Sequence, residues 1–217
     1  MPDLAFQVTG VEPAERGLAP LLTFQLEVAN TPAQEAIQSV LLQVQIQLQA
    51  PQRRYNAGEK DKLSELFGAP ERWGGTLRTR LWTQAVTHVG GFSGRTTAAL
   101  TIPCSFDLNI AATKYFYALD DGEVPLLFLF SGTVFYEGEG GRLQVQQIAW
   151  NKEAAWRMPV RAWREAMDRH YPGTAWLTLD REIFDRLYAY RRANGLPTWD
   201  QTIEQLLPAL APTEVPV

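Results

Sequence analysis

The segment Leu42-Gln43-Val44-Gln45-Ile46-Gln47-Leu48-Gln49 alternates apolar and polar residues without a break over eight positions. Successive side chains of a β-strand point to opposite faces, so this pattern predicts a strand with one buried face. Its other face is made of glutamine alone. Water-facing strands ordinarily carry charges that discourage pairing with another chain, and this one has none. Two outcomes stay open for Gln43, Gln45, Gln47 and Gln49. A helical segment or insertion covers the face, or it meets a partner, a second copy among the candidates.

The same period recurs through the first two thirds of the chain. Leu22 to Val28 repeats it, and Phe6-Gln7-Val8, Leu81 to Val86 and Thr97 to Ile102 carry it more weakly. Leu126 to Tyr136 and Leu143 to Trp150 add two more strands, joined by Glu137-Gly138-Glu139-Gly140-Gly141, a hairpin loop by composition. About seven strands separated by turn signals predict an antiparallel sandwich-like or curved sheet rather than an alternating βαβ layout.

Two helical insertions interrupt this body. One lies near residues 58–68, with Leu63, Leu66 and Phe67 on one side and Gly68 as its stop. The other lies near 107–121, with Asp107 as cap, Leu108, Ala111, Ala112, Tyr115 and Leu119 at helical spacing, and Gly122 as its stop. From Pro159 the period changes to that of a helix. Val160, Trp163 and Met167 share a face that ends near Tyr171-Pro172-Gly173. A helix capped by Asp180 follows, with Ile183, Phe184, Leu187 and Tyr188 inward and Gly195 after its end. Thr198-x-x-Gln201 opens a last one, which carries Trp199, Ile203, Leu206 and Leu207 on one face. The expected class is therefore α+β. Residues 1–157 form a β-rich body, 158–210 a helical segment packed on it, and 211–217 a tail.

Composition bounds the chemistry. The 217 residues carry a net charge of −4, one cysteine and two histidines. A chain of this length buries most of its unfolded surface without disulfides or metals. Its acidity argues against a general nucleic-acid binder, and it carries no disulfide framework or multi-cysteine metal site. The N-terminus lacks a secretory pattern, and the longest apolar run, Val124 to Phe130, is too short to span a bilayer, so the expected location is cytoplasmic. Neither phosphate-cradling glycine motif occurs. Cys104, between Pro103 and Ser105, reads as a buried small hydrophobe. Ser93 falls in a loop. Asp120-Asp121-Gly122-Glu123 lacks the ligand spacing of a calcium loop and reads as a helix-terminal turn. Glu153, Glu165, Asp168 and Asp185 each lie within four residues of an arginine and read as solvated ion pairs. No cofactor, metal site or catalytic residue is expected.

What remains are aromatic and arginine side chains. Seven tryptophans are many for this length, and each anchors a large buried area. Trp82, Tyr115 and Trp163 are candidates for the lining of a pocket where sheet meets helices. Arg53-Arg54-Tyr55 and Arg72-Trp73-Gly74-Gly75 form basic–aromatic clusters. They read as a protein-binding surface or as a lock between the first inserted helix and the sheet.

Several of these segments together resemble an uncharacterised bacterial family of unknown function. They are Pro51-Gln52-Arg53-Arg54-Tyr55, Leu66-Phe67-Gly68 with Arg72-Trp73, Leu81-Trp82-Thr83 and Pro103-Cys104-Ser105-Phe106-Asp107. Ala118-Leu119-Asp120-Asp121-Gly122-Glu123, Phe130-Ser131-Gly132-Thr133, Trp163-Arg164-Glu165-Ala166-Met167-Asp168 and Gly195-Leu196-Pro197-Thr198-Trp199 continue it. Members of that family are often encoded beside nickel–iron hydrogenase structural and maturation genes. The resemblance implies an accessory or assembly role with a protein partner, a hydrogenase subunit or maturation factor, and brings no catalytic residues. The expected function is a non-enzymatic scaffold acting by protein–protein binding. The alternatives are a small-ligand module or unfamiliar enzyme with a pocket at the sheet–helix join, and a structural subunit of a homo-oligomer.

Overall fold

A computed structural model describes residues 1–15, 17–106 and 109–207, with Glu139 by its backbone alone. The chain divides after Thr174 into a large unit and a small helical one, each described by itself.

The large unit is built on two antiparallel sheets. The first has strand order β1 (Asp3–Pro13), β2 (Leu21–Thr31), β5 (Arg95–Pro103); the second runs β4 (Arg80–Val89), β3 (Ile37–Leu48), β6 (Glu123–Glu137). Beyond β6, two strands share its far edge: β7 (Leu143–Gln147) pairs its C-terminal half and β8 (Glu153–Pro159) its N-terminal half. The expected α+β class with a sandwich body is the observed one. The strand Glu153–Pro159 was not expected, although Ala154, Trp156 and Met158 turn toward the core while Glu153, Ala155 and Arg157 are exposed.

The core is the meeting of the two inner faces. Leu22, Phe24, Leu26, Val28, Leu100 and Ile102 come from the first sheet. Val40, Leu42, Val44, Ile46, Leu48, Trp82, Leu126 and Phe128 come from the second. The Phe24 ring lies edge-on to Phe128 at 5.2 Å, Trp156 at 5.9 Å and Trp82 at 6.3 Å, the geometry aromatic quadrupoles favour. Along one side of the sandwich Thr87 donates to the Ala99 carbonyl at 2.9 Å, tying β4 to β5. Along the other, β1 lies beside β8.

Helices close the ends. α1 (Ala57–Phe67) opens on a full capping box: Asn56 accepts from the Glu59 N–H, and Glu59 accepts from the Asn56 N–H. α2 (Trp73–Thr76) is a single turn. The cap of α3 (Ile110–Ala118) lies two residues past the position expected, with Asn109 accepting from Ala112, and the helix stops at Leu119 rather than Gly122. Asp107 and the tail 211–217 lie outside the described residues. α4 (Val160–His170) buries Val160, Trp163 and Met167 as its period required, and packs on β1, β2 and β8.

The small unit holds α5 (Arg181–Ala193), capped by Asp180, and α6 (Trp199–Leu206), capped by Thr198. Phe184 and Tyr188 of α5 meet Trp199 of α6 at 5.3 and 6.2 Å, and the Arg191 guanidinium lies 4.7 Å over the Trp199 ring. The expectation that Ile183, Phe184 and Tyr188 point inward is not met, because all three are exposed. Two short helices enclose one seam, too little to bury the stripe of either.

Gly132 sits where the partner of β6 changes from β8 to β7. Its φ is +133°, and a Cβ there would lie 2.0 Å from the Leu41 carbonyl oxygen. Any side chain needs both a strained backbone and displacement of β3. Gly132→Ala is therefore expected to lose about 3 kcal/mol or more in urea unfolding, whereas Gly140→Ala, with nothing near its Cβ, should lose only the ~1 kcal/mol of a positive φ.

Candidate protein-binding face

The arginine–aromatic clusters are the first place to look, and most of their members turn inward. Arg53 and Glu59 form an ion pair at 2.8 Å with side chains only 8% and 4% exposed. Glu59 also accepts from the backbone N–H of Asp120 at 3.0 Å and of Asn56 at 3.1 Å. Arg53 further donates through Nε to the Glu123 carbonyl at 3.1 Å, and its guanidinium lies 5.1 Å from the Tyr55 ring centre. Together they join the loop before α1, α1 itself and the turn after α3. The Asp120 carboxylate takes Lys62 at 2.8 Å and Asn56 at 3.0 Å, so the acidic turn is spent on the same junction. Trp73 is buried, donates its indole N–H to the Gly68 carbonyl at 2.8 Å, and meets Tyr55 and Phe67 edge-on. Arg53 and Trp73 thus converge on Tyr55 as a lock within the fold, while Arg54 and Arg72 are exposed.

The pocket candidates are core residues. Trp82, Tyr115 and Trp163 are all buried. Phe116 bridges the two tryptophans, 4.8 Å from Trp82 and stacked on Trp163 at 5.1 Å. The void between Trp82, Cys104, Asn109 and Trp163 measures about 10 Å³, room for one water at most. A small-ligand pocket needs at least ~300 Å³, far more than this void offers.

The buried polar groups of the large unit are held in contacts of their own. Burial pushes the Cys104 thiol up to about 12, away from the thiolate a nucleophile needs. Tyr55 donates to the Ala50 carbonyl and its hydroxyl meets that of Tyr115 at 2.8 Å. Burial raises both phenols above their ordinary range. His170 has its ring nitrogens on the Ala166 and Gly17 carbonyls. Among the described residues, no group of three or more histidine, cysteine or acidic side chains comes together. Among the described residues, no helix is long and apolar enough to cross a membrane.

The outer face of the second sheet is the feature that stands apart. Register places Leu41, Gln43, Gln45 and Gln47 of β3 beside His88, Val86, Gln84 and Leu81 of β4. On the other side they meet Thr133, Ser131, Leu129 and Leu127 of β6. Phe135 and then Val145 extend the face onto β7. None of these positions is Asp, Glu, Lys or Arg. Val86 is 68% exposed, Val145 58%, and Leu41 and Leu81 48% each. Among the described residues of the large unit, neither inserted helix covers Leu41, Gln43, Leu81 or Val86, which are exposed. Formal charge returns only at its borders, with Glu137 at one end and Glu153 and Arg157 on β8. Two open grooves run along it. One of about 410 Å³ is lined by Gln43, Gln45, Gln84, Val86 and Ser131, and one of about 460 Å³ by Gln38, Ser39, Phe135, Leu143 and the border residue Glu137. The outer face of the first sheet is unlike it. Gln7, Thr23, Gln25, Thr97 and Thr101 dominate there, with an exposed Glu27–Arg95 ion pair at 2.8 Å.

The glutamine face was legible as an alternation, but its aliphatic half was not. Val86, Leu81 and Val145 become one surface with Gln43 only once the strand register is known.

A family model spans residues 1–215. The chain belongs to that family of unknown function, DUF6084. No curated protein matches it. Among solved structures, the DUF6084 chain is similar to the CARDB domain of a Pyrococcus furiosus protein. The two share 12% identity over 73% of this chain and 94% of that one, with a TM-score of 0.28. A putative late embryogenesis abundant protein matches at 12% over 73% and 71%, with a TM-score of 0.32. A β-glucosidase from Kluyveromyces marxianus matches at 10% over 72% of this chain but 15% of its own, with a TM-score of 0.25. None of these overlaps bears on function.

The ion pair makes a prediction of its own. Burial pushes the Glu59 carboxyl up, but Arg53 and the N–H groups of Asp120 and Asn56 outweigh it and hold it below its ordinary value. A group lowered on folding stabilises above its unfolded pKa, about 4.3 for glutamate, and that stability is lost as pH falls through the lower folded value. Glu59→Gln should flatten the acid limb of stability below about pH 5. Arg53→Leu should cost about 2–4 kcal/mol at pH 7 by stranding the carboxylate, and Arg53→Leu with Glu59→Leu should recover most of it. Urea unfolding across pH checks both.

Proposed function

We propose that this DUF6084 chain is a non-enzymatic accessory or scaffold protein of the cytoplasm, acting by protein–protein binding through the outer face of its second sheet. What supports the reading is the face itself: neutral outward positions on β3, β4 and β7 and on β6 from Leu127 to Phe135, interleaved with exposed aliphatic side chains. A sheet face left to water permanently has no reason to exclude charge, and edge and face charges are the usual protection against association. The clustering of leucine, valine and glutamine on one face, with charge at its borders, is the pattern of an interface with an uncharged centre and a charged rim.

The finer reading follows from the family resemblance rather than from geometry. It makes the partnered assembly one that serves nickel–iron hydrogenase, with a structural subunit or maturation factor within reach of the scaffold.

Photo-crosslinking in the native host tests the face whatever its occupant. A benzophenone amino acid at Gln43 or Val86 is expected to give a discrete covalent adduct with protein, and the same residue at Gln7 on the other sheet none. No adduct from Gln43 and Val86, or equal adducts from Gln7, contradicts the proposal. Hydrogenase peptides in the adducts, or in further proteins co-purified with them, would carry the finer reading, and their absence from both would remove it.

A further inference from the structure

We infer that the occupant of this face is a second copy of the same chain, the two sheets stacking face to face about a two-fold axis. The inference rests on the reading above, that the face binds protein, and adds which protein.

Charge is the first argument. Partners of different sequence are ordinarily steered and held in register by opposed charges, and the outward positions of β3, β4 and β7, with those of β6 from Leu127 to Phe135, offer none to read. Apposing such a face with its own copy meets no like-charge repulsion. Its polar groups are self-complementary as well. Each amide of Gln43, Gln45, Gln47 and Gln84 carries both a donor and an acceptor, so a glutamine opposite a glutamine satisfies both. The Gln84 amide already donates to that of Gln45 within one chain, at 3.4 Å.

Shape is the second argument. Twisted sheets pack face to face at about 10 Å when their twists match, with strand directions roughly 30° apart. A second copy has the same twist by construction of its sequence. Exposed Leu41, Leu81, Val86 and Val145 would then interdigitate across the seam while the inner faces keep their own core.

Area is the third. Because β7 and β8 share one edge, the sheet is four strand positions wide; at about 4.8 Å spacing, with about nine residues each at 3.3 Å, these span roughly 570 Å². A standard stable interface takes about 800 Å² per partner. The face is therefore near the lower end of the size a dimer needs. Because a two-fold interface presents the same patch from both sides, each substitution enters it twice.

Sedimentation velocity and light scattering on the purified full chain test this directly. The wild type is expected at twice the 24.4 kDa chain mass. Gln43→Lys with Gln47→Lys should weaken the dimer at least about a hundredfold, and Val86→Asp alone should do the same, each with an unchanged melting transition under dilute conditions. Gln7→Lys with Gln25→Lys on the other sheet should leave the dimer intact. A wild type that is monomeric at every concentration overturns the inference. So does a dimer indifferent to both face variants, which would point to pairing through a strand edge or the helical unit. A monomer in vitro with a Gln43 adduct to another protein in the host would remove the second copy and keep the binding face. Absence of that adduct as well would remove both.

Discussion

The alternation of β3 governs both sides of this structure. Its inward residues Val40, Leu42, Val44, Ile46 and Leu48 are buried at the centre of the second sheet, where burial of each contributes about 1.5–3 kcal/mol. Because side chains alternate, the same stretch of backbone must present Leu41, Gln43, Gln45 and Gln47 on the opposite face. A one-residue slip would exchange the two sets and put four polar or exposed positions into the core. Burial thus fixes the register, and the register fixes which residues of β4, β6 and β7 stand beside the glutamines. The core and the neutral outer face are two consequences of one constraint.

Around this strand the rest of the large unit is fastened by local devices. The Arg53–Glu59 pair with the Asn56 capping box ties α1 to the turn after α3. The aromatic series Trp82, Phe116 and Trp163 joins β4, α3 and α4. Gly132 lets β6 pass close under the Leu41 carbonyl where its edge partner changes. Trp150, in the turn between β7 and β8, is almost fully exposed, and this turn interrupts what would otherwise be one long edge strand. An interrupted edge is a poor template for strand addition, which leaves the face rather than this edge for association.

Much of this was legible in sequence because the signals were periodic. The strands through Leu22–Val28 and Leu42–Gln49, and the buried stripe of Val160, Trp163 and Met167, follow from side-chain period alone. β8 was missed because Ala154 and Ala155 weaken the contrast between its two faces, and because the adjoining helix at Pro159 drew the segment toward a different period. The cap of α3 was placed too early, since Asn109 also bonds the Leu81 and Trp82 carbonyls and that long-range tie has no local signature. The outward glutamines were visible; that Val86 and Val145 share their face was not, because register between strands is a tertiary property. Trp82 and Trp163 meet through Phe116 by close packing, whereas Tyr115 turns to Tyr55 and Phe67, a separation that sequence spacing does not show.

The central claim is that the face carrying Gln43 and Val86 is covered by protein in solution. Hydroxyl-radical footprinting read by mass spectrometry over a concentration series reports side-chain exposure residue by residue. The account predicts that Leu41, Leu81, Val86 and Val145 lose reactivity together as concentration rises, while Leu18 and Tyr117, exposed elsewhere in the chain, keep theirs. Constant reactivity of the four face residues at every concentration would contradict it.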